Sequence, residues 1–411
     1  MITPAFSPTA TERVLPKLAL DFTTASLDAR VTFTRTTGAS NPATYVDSNG
    51  YITSATNNQP RFDYDPVTKI CKGLLIEESR VNRCLQSQAF NVTWGLPNLT
   101  YASQAVVNPA GASNSDTLVE STTTAFRHAN QNLTLTAATY TASIYAKTAG
   151  TRYLWIQFSG SSGANSAVFD LANGTASGTG FSITAVGNGW YRCTCTITLT
   201  TGTINIRYGL SNTNAIVSYT GNGTSGINVY GAQVELGAFA TSYIPTTTAA
   251  LTRNADVATM TGTNFSDWWQ AGRGGAMVQA LPSTVSGTRP LIQFDDGTAN
   301  EIIALRGNAT NPELYIVDGG TPQAQIDAGT IAANTAYSLT GWWQINDCKA
   351  RKDSGAVVTD TTATIPTVTQ ARLGSDGTNY LNGHLATINY YDLFSSQIYT
   401  RRKNKVIFNV I

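Results

Sequence analysis

The chain has 411 residues, enough for about two to four domains. Charged residues make up only 12% of it, about half the usual share, which excludes an architecture of long solvated helices. The net charge of +1 gives no general electrostatic footprint for nucleic acid. Thr, Ser, Asn and Gly take the place of the missing charge, and this composition predicts an all-β protein.

Residues 1 to about 17 carry Pro and Thr without clear periodicity and read as an arm. Short strand candidates follow at Leu18 to Phe22, Val31 to Arg35, Tyr45 to Val46 and Tyr51 to Ile52, the last two separated by the turn signal Asn49-Gly50. They lead into a strand over Gly73 to Glu78. Residues 1–84 thus form a small β-rich attachment or oligomerisation unit, too poor in apolar residues for a core of its own. It is expected to lean on a neighbouring subunit or on the next module.

Residues 85–250 show the clearest alternation. Tyr140, Ala142, Ile144 and Ala146 are interleaved with polar residues, and Leu154-Ile156-Phe158, Tyr191 to Leu199, Ile204 to Leu210 and Tyr230 to Leu236 repeat the pattern. Asn173-Gly174, Gly187-Asn188-Gly189 and Asn222-Gly223 punctuate it. Many short antiparallel strands of this kind predict a jelly-roll sandwich. Residues 251–258 read as a polar linker. Residues 259–400 form a second sandwich with turns at Asp296-Gly297, Asp318-Gly319-Gly320, Asp376-Gly377 and Asn382-Gly383. Arg401, Arg402, Lys403 and Lys405 then make 401–411 a basic tail.

The five cysteines are odd in number and show no metal spacing; Cys193 and Cys195 share one strand face, as buried thiols would. No run of about 18 apolar residues offers a membrane span. The first residues lack a charged region followed by an apolar stretch, so no secretory leader is expected. Two histidines, His128 and His384, leave little room for a Ser-His-Asp triad, and no Gly-x-Ser-x-Gly elbow occurs. Glu77 and Glu78 are adjacent and face opposite sides of a strand, so they cannot form a glycosidase pair. Asp295, Asp296 and Glu301 are the carboxylates for which a calcium ion is considered, though Asp296-Gly297 is also a turn signal.

The stretch Phe62 to Asn82, FDYDPVTKICKGLLIEESRVN, resembles a segment of tailed-phage virion proteins: fibres, spikes and decorations that carry carbohydrate-binding-like and concanavalin-like sandwiches. The matching residues are Phe62, Asp63, Tyr64, Asp65, Pro66, Gly73, Leu74, Leu75, Ile76, Glu77, Glu78 and Asn82. Looser matches are Trp190-Tyr191-Arg192, Gly231-Ala232-Gln233-Val234-Glu235 and Thr241-Ser242-Tyr243-Ile244-Pro245. The closing run Gly383-His384-Leu385-Ala386 resembles that of concanavalin-like or laminin-G-like modules. The resemblance implies a non-enzymatic virion protein, made in the host cytoplasm, whose partners are other virion proteins, itself as a homotrimer, and host-surface glycans. Glycan contacts are expected at Trp94, Trp155, Trp268, Trp342, Asp295 and Asp296. Attachment or oligomer contacts are expected at Arg61, Phe62, Asp63, Tyr64, Glu77, Glu78 and Arg80, whose charges, with Arg35, form ion pairs inside the N-terminal unit. The rival readings are a polysaccharide depolymerase carrying binding modules and a ligand-free cement protein.

Overall fold

The computed structural model describes residues 15–35, 43–160, 166–178, 180–200 and 202–392. Most of the expected arm and all of the basic tail with Arg401, Arg402, Lys403 and Lys405 lie outside the described residues. Within them the protein is all-β, with antiparallel pairing throughout its named ladders. The single α-helical element is the turn Thr263–Ser266. Among the described residues no helix is long and apolar enough to cross a membrane.

The middle of the chain folds on itself. One sheet of five strands joins Arg127–Leu135, Gly202–Ser211, Tyr153–Ser159, Ser166–Asp170 and Thr175–Ser177. The other, of six, runs through Phe181–Ala185, Tyr191–Leu199, Ala138–Ala149, Gly226–Leu236, Ser113–Glu120 and Leu99–Val107. The alternation in the sequence sends Ala142, Ile144, Cys193, Cys195, Ile204, Ile206, Val229 and Val234 into one shared core. All five cysteines are free and buried.

The N-terminal region does not stand alone: it leans on the module that follows it, where Ile52 N–H donates to the Pro109 carbonyl and the Thr44 hydroxyl to the Tyr243 carbonyl, and it also pairs with the far end of the chain. Strand Leu18–Asp21 pairs with Gly383–Tyr391 at the far end of the chain, Leu18 opposite Tyr390. Cys71–Ile76 pairs with the start of that same strand, Gly383 opposite Ile76. Thr32–Thr34 pairs with Val257–Thr261 in the opposing sheet. The N-terminal segment therefore supplies strands to both sheets of the second sandwich, and its Leu18, Leu20, Phe33, Leu74 and Ile76 sit in the same core as Phe294, Trp343 and Tyr390. The reason is the one that made the segment look incomplete: its strands have one apolar face each, and that face must be covered by another sheet. Joining it to a distant partner costs little extra, because loop-closure entropy grows only logarithmically with length.

The middle sandwich is thus an insertion into a base built from both flanks of the chain. Its incoming strand Arg80–Asn82 and outgoing strand Leu251–Arg253 pair with each other, Asn82 opposite Leu251 and Arg80 opposite Arg253. This ladder is a neck between the two sandwiches. The expected polar linker 251–258 is therefore wrong as drawn: it holds two strand segments and the fully buried Arg253 and Asp256.

Because Leu20 precedes the insertion yet packs in the base, Leu20→Ala should destabilise the base by about 2–5 kcal/mol. Hydrogen exchange under mild denaturant should show protection lost along Gly383–Tyr391 while strands of the middle sandwich keep theirs. Equal loss in both would contradict the insertion topology.

Candidate functional site

The neck collects most of the buried charge near the junction. Arg61, at the head of the resembling stretch, is fully buried and pairs with Glu77 at 2.8 Å and with Asp256. Arg35 pairs with the other Asp256 oxygen at 2.9 Å, and Arg253 approaches Glu77 at 3.5 Å. Backbone bonds lock the same residues together: Glu77 N–H donates to Asp256 Oδ2 and Asp256 N–H to the Glu77 carbonyl, each at 3.0 Å. Ser242, in the segment returning from the middle sandwich, donates its N–H and its hydroxyl to the two Glu77 oxygens at 2.7 Å. Its Oγ also accepts from Arg61 at 2.7 Å.

These pairings decide the ionisation of Glu77. Burial alone would push its carboxyl up; Arg253, Arg61 and the Ser242 donors outweigh it and bring it from the usual 4.5 down to about 2. For Arg61, burial works against the charge, but Asp256 and Glu77 more than restore it.

The remaining residues of the stretch also serve the junction. Asp65 accepts from Val67 N–H at 2.9 Å and Thr68 N–H at 2.7 Å, closing the Asp-Pro turn. Gly73 has φ of 110°, and a Cβ there would lie 2.1 Å from the Leu385 carbonyl oxygen, so only glycine lets the two strands meet. Glu78 holds Arg80 at 2.6 Å and accepts from the Asn382 amide at 3.0 Å. Arg80 lies 4.8 Å over the ring of Phe239 and fills the space a Cβ at Gly237 would need. Asn82 spends its whole side chain on the neck, donating to Ala232 and Ile244 carbonyls and accepting from Cys84 and Val234 N–H. Gln233 and Glu235 fasten the returning segment at Ile244 and Thr241. Arg192 donates to the Thr241 carbonyl at 2.7 Å. Glu77, Glu78 and Asn82 of the strong stretch and residues of all three looser matches therefore meet at the neck, while Phe62, Gly73, Leu74 and Ile76 build the base beneath it.

Asp63 sits beside this cluster. It pairs with Lys72 at 2.5 Å, takes a 2.9 Å bond from His384 Nε2, and accepts from Val46 N–H. Burial raises its carboxyl, but Lys72 and His384 win and hold it well below the usual range. His384 is itself buried, and burial together with Lys72 lowers its pKa. Phe62 packs partly against the base core, and Tyr64 is half-buried. Of the seven expected attachment residues, Arg61, Asp63, Glu77 and Arg80 are buried inside this joint, whereas Phe62, Tyr64 and Glu78 are half-buried.

The tryptophans chosen as sugar platforms are core residues. Trp94, Trp155, Trp268 and Trp342 are all buried, Trp155 and Trp342 to 1% exposure. Trp155 Nε1 donates to the Leu210 carbonyl, and Trp268 packs edge-on against Phe265 and Tyr390. Large aromatic area is worth more inside than as a surface platform. Asp295 is also unavailable: Gln293, Gln370, Arg372 and Gly297 N–H take its oxygens. Asp296 closes its turn on Thr298, and Glu301 turns to Gly319 N–H. Among the described residues no group of three His, Cys, Asp or Glu side chains is placed to hold a metal.

A cleft of about 520 Å³ opens beside the neck. Strands Phe181–Ala185 and Tyr191–Leu199 of the middle sandwich form one wall; Tyr45, Lys72 and His384 lie on the base side, and residues 238–243 pass along it. Sequence reasoning did not find it. Asp256, Arg253 and Ser242 were missed as well, although charge inside a Thr-rich connector of a charge-poor chain was a usable signal.

No protein-family model matches the chain, and no curated protein matches it. Among solved structures, the mouse laminin alpha1 chain, domains LG4-5, is similar over 63% of this chain and 84% of that one, at 11% identity and a TM-score of 0.22. That likeness carries nothing about ligand or partner.

Replacing Asp256 with Asn leaves Arg35 and Arg61 buried without their shared anion, and should cost about 3–5 kcal/mol in guanidinium unfolding of the base. A second expectation concerns pH. Glu77 has a folded pKa below its unfolded one, so its contribution is present above pH 4.5 and is lost as pH falls toward 2. Thermal midpoints measured across that window should drop for the wild-type protein and drop less for Glu77→Gln, which starts lower; parallel curves would contradict the assignment.

Proposed function

We propose that this chain is a bacteriophage virion structural protein, a head or tail fibre, spike or decoration, that performs no bond chemistry. Its base attaches to other virion proteins and assembles with further copies of itself, a trimer in this reading. The inserted sandwich is displayed for particle reinforcement and for contact with host-surface glycans.

The observation that carries the reading is the convergence at the neck. Several residues that resemble phage virion proteins, among them Glu77, Asn82, Glu235 and Ser242, take part in joining base to insertion, through buried ion pairs and a two-strand ladder. A joint of this kind holds a projecting module at a fixed angle, which a display protein needs and a flexible linker would not give. Glycan contact by such a module is weak per site and gains from several copies on one particle.

The burial of Trp94, Trp155, Trp268 and Trp342 favours a second reading, a cement protein that strengthens the particle and takes no sugar. Immunogold labelling separates the proposals. Antibody to the inserted sandwich should decorate the periphery of intact virions, and the purified chain should sediment as three chains of 43.7 kDa each. Absence of label from virions would overturn the reading; label together with reduced particle stability on gene deletion, and no glycan-array signal, would select the cement protein.

A further inference from the structure

The cleft beside the neck has a composition that the joint does not explain. Its middle-sandwich wall carries a ladder of hydroxyls. Ser182 lies opposite Thr194, with their oxygens 2.6 Å apart, Thr184 lies opposite Arg192, and Thr196 meets Thr141 at 2.8 Å. Ser182 and Thr184 are exposed, while Thr194, Thr196 and Arg192 are half-buried. Outward hydroxyls on an edge strand are ordinary; hydroxyls that line a cleft of about 520 Å³ together with the half-buried Tyr45 are a recognition surface.

The charge balance is equally specific. Glu77 is matched by Arg61, and Lys72 by Asp63. Arg192 is different. Its guanidinium donates to the neutral Ser143 hydroxyl and Thr241 carbonyl, lies 5.4 Å over the Tyr145 ring, and meets no carboxylate among the described residues. Arg192 is therefore the charged side chain of the lining without an ion-pair partner among the described residues, whereas Asp63, Glu77 and Lys72 are all paired. With Nη2 committed to Ser143 and Thr241 and Nε buried, Nη1 is the nitrogen left to give a carboxylate a charge-assisted hydrogen bond.

We propose that this cleft binds a saccharide bearing a carboxylate, a hexuronate-type residue of an acidic glycan. Arg192 takes the carboxylate. Ser182 and Thr184 exchange hydrogen bonds with the ring hydroxyls, and Tyr45 covers the apolar C–H face. The site lies between the two sandwiches, so a bound sugar touches base and insertion at once. This deepens the display reading above and rests on it for the source of the sugar.

The test is calorimetric titration of the full chain with a hyaluronan oligosaccharide and, separately, with a malto-oligosaccharide of equal length. The acidic sugar should bind at least about tenfold more tightly, the scale of one charge-assisted contact. Thr184→Trp, at an exposed strand position, should abolish binding by filling the cleft without changing the unfolding midpoint. Arg192→Gln should reduce the preference for the acidic sugar to near unity, and Arg192→Lys should restore part of it. Unchanged binding by Thr184→Trp, equal affinity for the two sugars, no binding of either, or displacement by inorganic phosphate at the same concentration as the oligosaccharide would each overturn the proposal. None of those results bears on whether the protein sits on the virion, which labelling decides independently.

Discussion

The two sandwiches of this molecule meet at ions that have left water together. Taking Arg35, Arg61, Arg253, Glu77 and Asp256 out of solvent carries a desolvation cost of several kcal/mol per group, recovered only if geometry and hydrogen bonding are both good. Here they are. Asp256 bridges two guanidiniums, and Glu77 receives Arg61, Arg253 and both donors of Ser242. A cluster of apolar side chains would fill the same space at less risk, but it would tolerate sliding. Ion pairs of fixed direction tolerate one arrangement, and this arrangement brings together residues from near 35, 61, 77, 242 and 256. Registration of distant segments is what such a cluster contributes.

The same economy of charge shows in the middle sandwich. On the face of its six-stranded sheet turned away from its own core, cross-strand pairs are hydroxyls: Thr139 with Thr198, Thr141 with Thr196, Ser182 with Thr194. Neutral hydrogen bonds between strands are insensitive to salt, unlike surface ion pairs. The low charged fraction of the chain is thus two facts with one cause. Charge is withdrawn from the outer faces, and part of what remains is concentrated where it fixes the joint.

Much of this could be read from sequence, for a reason that also sets the limit. Alternation reports which face of a strand is buried, so the all-β class, the strands around Tyr140, Tyr191 and Tyr230 and the turns at Asn-Gly pairs were legible. Alternation is silent about which strand lies alongside. The pairing of Leu18 with Tyr390 leaves no local trace, and so the base was divided between an N-terminal unit and a second sandwich that are one body. Aromatic counts likewise do not distinguish inside from outside: Trp155 and Trp342 looked like platforms and are core. Arg61 and Glu77 were singled out because charge is scarce in this chain. Asp256, their shared partner, stood in a segment that looked like a linker, and only the three-dimensional path shows why it is there.

The closing strand Gly383–Tyr391 has a consequence for biosynthesis. It holds Leu18–Asp21 on one side and meets Cys71–Ile76 near its start, so both of those strands leave the ribosome long before the strand they pair with. The middle sandwich, whose partners are all nearby, has its full complement of strands long before. Domains fold as their residues emerge. The insertion is therefore finished while the base is still an open half-sheet, and translation itself imposes an order in which the displayed part precedes the part that anchors it.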